Sequence, residues 1–286
     1  HEKFSPPGEN LFDIPLHECA CTAPHEHVRH VYQPPTLHLA HDATYVDRFL
    51  NGELDASEER RIGLRPWTPD MIERTMRLMG GAVEATEHAV QHGGFAGNMA
   101  GGTHHAHRDF GSGYCVFNDL AVTARALIDD GLVERVLVLD LDVHQGDGTA
   151  RILAERPELF TCSLHCRANY PARKATSDLD IEIEKGADDA AYLGILDDTL
   201  HRLQRLVTPD LVIYDAGVDV HHGDRLGLLN LSYDGIRHRD EMVLRHFRAR
   251  GIPVATVIGG GYGSDIDEVA FRHSLVFRAA AAEFSR

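Results

Sequence analysis

The chain predicts an α/β protein with a central, mostly parallel sheet flanked by helices, and three observations carry that prediction. From Trp67 onward, segments of helical periodicity alternate with short apolar runs, the pattern of strand and helix units wound on a parallel sheet. The run Val136-Leu137-Val138-Leu139 is apolar at consecutive positions, so it suits a strand covered on both faces. Where it ends, Asp140, Asp142 and His144 stand at every second position, and an extended chain aims such residues the same way. Parallel sheets bind ligands beyond the carboxyl ends of their strands, where this trio lies. Two carboxylates and an imidazole suit a divalent, zinc-like ion, and Gly146 and Gly148 let backbone pass close to whatever is held.

His41 to Leu50 can form a helix, and the charged stretch from Asn51 to Arg65 reads as a loop or lid. Thr68 as N-cap and Pro69 in the first turn open a helix in which Ile72, Met76, Met79, Val83, Thr86 and Val90 share a face, until Gly93-Gly94 stop it. Those methionines read as core. A second helix follows Asn118, with Leu120, Ala124, Leu127 and Ile128 on one face and Gly131 at its end. Phe160 to Leu164 is a further buried strand, and Asp189 to Val207 an amphipathic helix carrying Tyr192, Leu196, Thr199, Leu203 and Leu206 inward. The strand Leu211 to Tyr214 runs into Asp215-Ala216-Gly217-Val218-Asp219, so carboxylates again meet a strand end. After a helix from Asp234 to Arg250, the strand Pro253 to Ile258 breaks into Gly259-Gly260-Gly261-Tyr262-Gly263, and Ile266 to Phe284 is the last helix. No repeat or Pro/Gly/Ser linker divides the chain, so residues 1–286 read as one domain.

A length of 286 residues with 43% hydrophobic and 25% charged fits one large core. The net charge of −16 disfavours a nucleic-acid partner, whose phosphates need clustered Lys and Arg. No apolar stretch approaches the roughly 20 residues of a membrane span, and the start His1-Glu2-Lys3-Phe4-Ser5 lacks a signal-peptide pattern. Five cysteines, an odd number, argue against a disulfide framework and for a cytoplasmic protein. His17, Cys19, Cys21, His25, His27 and His30 have metal-like residue types but no regular spacing, so a solvated loop is the simpler reading.

The loop Gly101-Gly102-Thr103-His104-His105 puts adjacent histidines where glycine freedom can turn both toward one pocket, with Asp140 and Asp147 as available partners. Gly111-Ser112-Gly113-Tyr114 pairs glycines with a ring, as in the wall of a narrow pocket. From spacing alone, either Asp215 or Asp219 completes the metal set.

These segments together resemble the motifs of the histone deacetylase family. The likeness rests on Gly101 to His105, on Ser112-Gly113-Tyr114-Cys115 with Asn118-Asp119, and on Asp140 to Gly148. It extends to Ser163-Leu164-His165, Gly217-Val218-Asp219 with Gly223-Asp224-Arg225-Leu226-Gly227, and Gly259 to Tyr262. The Gly223 to Leu228 stretch, with Arg239-Asp240-Glu241, is closest to the class IV branch and its bacterial relatives, and His41 to Val46 resembles the family's early helix.

The resemblance implies a single-domain arginase/deacetylase fold and one zinc ion on Asp142, His144 and Asp219, with Asp219 preferred to Asp215. His105, oriented by Asp147, would be the general base that takes a proton from the attacking water and returns it to the departing amine. His104, paired with Asp140, would supply positive charge, and Tyr262 would donate to the oxyanion. Gly113, Tyr114, Tyr170 and Gly261 would bind the acyl-lysine chain, and Asp140, Asp142, His144, Ser163 and Leu164 would hold a structural potassium ion. The implied substrate is an acyl-lysine peptide or protein, or another acylated amine such as an acetylpolyamine. Oligomeric state is not implied. Two further readings are open: a two-manganese arginase-type hydrolase, against which Gly146 stands where a further aspartate is needed, and a zinc-containing acyl-lysine binder without turnover.

Overall fold

The computed structural model describes residues 34–284. Three short helices come first, α1 (Pro34–Leu37), α2 (Ala43–Leu50) and α3 (Ala56–Ile62), before the long α4 (Asp70–His92). Strand β1 (Phe95–Gly97), helix α5 (Asp119–Asp129), strand β2 (Val136–Asp140) and helix α6 (Asp147–Leu153) follow. Then come β3 (Leu159–Cys166), β4 (Leu179–Ile183), α7 (Asp189–Leu206), β5 (Leu211–Asp215), α8 (Tyr233–Arg248), β6 (Val254–Val257) and α9 (Ile266–Phe284). The six strands form one sheet in the order β1-β6-β5-β2-β3-β4, and every pairing is parallel. Helices flank it on both faces, as the sequence predicts.

Successive residues of β2 enter opposite apolar layers, which is why its sequence is apolar throughout. Leu137 and Leu139 join the layer of Tyr192, Leu196, Leu244 and Val276 from α7, α8 and α9. Val136 and Val138 join the layer of Phe49, Met79 and Leu120 from α2, α4 and α5. The chain leaves β2 for β3 on one side, whereas β5 lies on the other side in register, with Asp140 beside Asp215. Loops diverge at such a switch and open a crevice beyond the strand ends.

Some expectations need correction. The stretch Asn51 to Arg65 contains α3, which the Asp55/Glu58 capping box opens and Gly63, at φ 85°, closes. Thr68 is not the cap of α4: that helix starts at Asp70 behind Pro69, without a side-chain cap bond. Periodicity also missed β1, α6 and the edge strand β4, which are too short or too polar to stand out. Cys115, Cys162 and Cys166 are free and buried. No helix among the described residues is long and apolar enough to cross a membrane. The cluster from His17 to His30 lies outside the described residues.

Candidate active site

The loop between β1 and α5 carries the paired histidines, and the start of α5 ties it down. Asp119 accepts the backbone N–H groups of Gly102 and Thr103, and Asn118 Nδ2 donates to the carbonyls of His104 and Ala106. His41 braces the same loop, its Nδ1 2.9 Å from His107 O and its Nε2 2.9 Å from the Asn118 N–H that donates to it. Burial pushes the His41 ring down to about 4, so it stays neutral and can serve both contacts.

So held, the two rings meet different carboxylates. His104 Nδ1 lies 2.9 Å from Asp140 Oδ2, and His105 Nδ1 lies 2.8 Å from Asp147 Oδ1. Burial and the charge of its neighbour His104 lower His105 to about 3, leaving a neutral ring. With Nδ1 turned to Asp147, its Nε2 is the nitrogen left for the pocket. Burial also works against charge on His104, but Asp140 and Asp142 outweigh it and hold that ring well above its ordinary value. One ring is therefore held neutral and the other protonated.

Beyond β2, Asp142 and His144 converge with Asp219 from the loop after β5, all three buried. His144 Nδ1 lies 3.0 Å from Asp142 Oδ1 and 3.1 Å from Asp219 Oδ2. A ring N–H can satisfy only one of these oxygens, and Asp219 Oδ2 has no hydrogen-bond donor among the described residues. A divalent cation between the three atoms would serve all of them, so the donor set fits a zinc-like ion. Burial, followed by the charge of Asp142, raises Asp219 to about 7. The remaining carboxylate oxygens are pinned by backbone: Gly260 N–H donates to Asp142 Oδ2 at 2.7 Å and Val143 N–H to Asp219 Oδ1 at 2.9 Å. A Cβ at Gly260 would fall 2.3 Å from Asp219 Oδ2, so glycine is required there.

His104, Asp140 and Asp215 form a second convergent group. Asp215 is fully buried, its Oδ2 is 3.8 Å from His104 Nδ1, and neither oxygen has a donor among the described residues. Burial, then the Asp140 charge, pushes its carboxyl well up. A Cβ at Gly146 would sit 2.3 Å from Asp140 Oδ2, which leaves no room for another aspartate at that position.

Above the metal-type cluster, Gly113, Tyr114, Tyr170 and Tyr262 ring a mouth that His105 and His144 reach from below. The Tyr170 ring stands edge-on to His105 at 4.7 Å, and Tyr114 and Tyr262 are 5.6 Å apart. Tyr114 has a left-handed backbone, φ 66°, and its N–H donates to Ile62 O. A Cβ at Gly113 would strike the His105 ring at 2.6 Å, so only glycine lets this wall approach. A Cβ at Gly261 would meet His273 and Val218, and Gly261 is not among the residues that line the mouth. Ser163 is beside Asp140 across the β2/β3 register with Oγ 3.1 Å from His165 Nδ1, and Leu164 is fully buried.

The spacing arguments left two contributors without a role. His107 Nε2 lies 3.1 Å from Asp147 Oδ2, so Asp147 is gripped by two rings. Asp224 Oδ2 accepts the Tyr262 N–H at 2.6 Å while buried Arg272 stands 3.3 Å from the same oxygen, and Arg225 N–H donates to Tyr262 O. His107 was visible only as a third histidine in a His-rich loop.

Comparison with known proteins bears on this arrangement. The family model "Histone deacetylase domain" matches residues 16–276. An uncharacterized protein of Picosynechococcus sp. is 48% identical over 255 residues, 87% of this chain and 84% of its own length. Histone deacetylase 2 of Arabidopsis thaliana is 36% identical over 65% of this chain, which spans 49% of that protein. Among solved structures, an acetylpolyamine aminohydrolase from Burkholderia pseudomallei superposes with a TM-score of 0.71 at 22% identity, covering 88% of this chain and 84% of that one. A histone deacetylase homologue from Aquifex aeolicus gives 0.71 at 23%, with coverage of 86% and 71%.

Proposed function

The chain belongs to the histone deacetylase family of hydrolases, and from that premise we propose that it removes acyl groups from lysine side chains by zinc-dependent hydrolysis of the amide. The observation that carries this reading is the convergence of Asp142, His144 and Asp219 beneath a mouth that also holds His105 and Tyr262. Zinc bound by these three would supply a Lewis acid that polarises the acyl carbonyl and makes a water acidic. His105 Nε2 would take the proton of the attacking water while Asp147 holds its Nδ1–H. The same nitrogen would then hand the proton to the leaving amine. His104, kept charged by Asp140, would face the developing negative charge, and the Tyr262 hydroxyl would donate to it. Tyr114 and Tyr170 would flank the methylenes, with the Gly113 carbonyl taking the amide N–H.

The reading includes one catalytic domain over residues 1–286, a cytoplasmic location, and a structural potassium held by Asp140, Asp142, His144, Ser163 and Leu164. Acetylated polyamines would undergo the same chemistry and are the alternative substrate. A binder without turnover has no use for the His105/Asp147 pair or the Tyr262 hydroxyl. An arginase-type two-manganese centre is disfavoured by the packing of Gly146 against Asp140.

Treatment with a chelator should abolish hydrolysis of an acetyl-lysine peptide, and one equivalent of zinc should restore it. Full turnover by metal-free protein, or recovery only at two equivalents, would count against the proposal. A panel of acyl lengths beside acetylpolyamines would then define the substrate. Replacing Asp224 with alanine should lower kcat by about tenfold to a hundredfold while zinc content holds, because Tyr262 loses its backbone anchor. Unchanged kcat would show that Arg225 alone suffices.

A further inference from the structure

The charge around the mouth runs against the charge of the molecule. With 44 Asp and Glu against 28 Lys and Arg, the chain is strongly acidic. Yet among the described residues no aspartate or glutamate lines the mouth, whereas Arg60 and Arg61 from α3 do. Neither arginine is in an ion pair among the described residues. Of the acids close by in sequence, Glu58 pairs with Arg48, Asp55 caps the start of α3 within reach of the Arg60 charge, and Glu59 lines a different cleft from the mouth.

The two arginines differ in their contacts. Arg61 is fixed, its Nε donating to Gly111 O and its guanidinium 4.5 Å above the Phe110 ring. Arg60, exposed like Arg61, makes no such contact among the described residues and has its side chain at the rim. The fold itself puts them there: the capping box at Asp55 and the turn at Gly63 set the last turn of α3, and Tyr114 N–H locks Ile62 O to the tunnel wall. A bound substrate would leave its acyl end at the floor and its far end at this rim.

Resting on the deacylase reading above, we propose that this mouth selects acylated amines whose far end is anionic, and disfavours polycationic ones such as acetylated polyamines. A carboxylate a few atoms beyond the amide would meet two guanidinium groups, and no acid among the described residues lines the mouth to compete for them. An ammonium there would meet like charge. The surface position means screening by salt, so the preference is moderate and falls as ionic strength rises.

Two sources could present such an anion, an acyl-lysine beside acidic residues in a peptide or a small acylated amino acid, and matched substrates separate them. With zinc-loaded protein, kcat/KM would be measured for acetyl-lysine peptides flanked by Asp, Ala or Lys, and for 6-acetamidohexanoate against N-acetylcadaverine. In at least one pair the anionic member should be preferred by roughly tenfold, mainly through KM, as two screened surface charges allow. Arg60→Glu should shrink or reverse that preference, and Arg60→Gln should leave it intermediate. Preference in the peptides alone identifies a protein substrate, and in the small molecules alone a metabolite. Equal rates across charges with good turnover of the Ala-flanked peptide would overturn the charge selection and leave the deacylase reading intact. The same is true of a preference untouched by Arg60→Glu. No turnover of any of these amides would overturn both.

Discussion

Asp219→Asn is expected to empty the metal site, with zinc per chain falling from one to near zero on metal analysis and hydrolysis falling with it. The Asp219 side chain is fully buried, one oxygen held by the Val143 N–H and the other 3.1 Å from His144 Nδ1. Asparagine keeps the shape and can still accept from Val143, but it removes the charge that balances a divalent ion in a buried site. Loss of even a residue that only orients a ligand weakens metal binding by roughly 10–100-fold, so loss of a ligand charge should exceed that. Asp215→Asn is the matched control. Its carboxyl faces His104 instead of His144, and burial already drives it toward the neutral form that asparagine imitates. Zinc should stay at one per chain in that variant. Retention in Asp219→Asn with loss in Asp215→Asn would move the third ligand, and two ions in the unaltered protein would point to a second centre on His104, Asp140 and Asp215.

That pair of aspartates also marks how far the sequence could be read. Asp140, Asp142 and His144 are legible because their geometry is local: alternation on an extended chain needs nothing but its own backbone. The choice between Asp215 and Asp219 depends on how two strands align. Register sets Asp215 beside Asp140, at the level of the His104 pair, and it takes four more residues for the chain to reach Asp142 and His144. Spacing along one strand contains no such information, and only the family likeness favoured Asp219. The grips on Asp147 by His107 and on Tyr262 by Asp224 are illegible for the same reason, since their partners lie 40 and 38 residues apart. Helix α3 is a different failure. Its capping residues Asp55 and Glu58 and its terminal Gly63 were all present in the sequence, but the density of charge in that stretch resembled a solvated loop.

Tyr262→Phe is expected to lower kcat by about a hundredfold, the cost of one lost oxyanion donor at ~3 kcal/mol, with zinc content unchanged and KM moving little. The phenylalanine ring can keep the contact with Tyr114 at 5.6 Å and the edge contact with His144 at 6.4 Å, so the wall of the mouth survives. The backbone is held independently of the hydroxyl, by Asp224 on the N–H and Arg225 on the carbonyl. Burial, reinforced by the charges of Asp142 and Asp219, pushes the Tyr262 phenol far above its ordinary range, so it remains a donor at any working pH. On the proposed mechanism, removing the hydroxyl deletes a single hydrogen bond to the substrate, one that would strengthen as negative charge builds on its oxygen. A donor of that kind stabilises the transition state more than the bound substrate, which places the loss in kcat. If the loss appeared in KM with kcat preserved, Tyr262 would be a binding wall, and the oxyanion would have to be met by the metal and His104 alone.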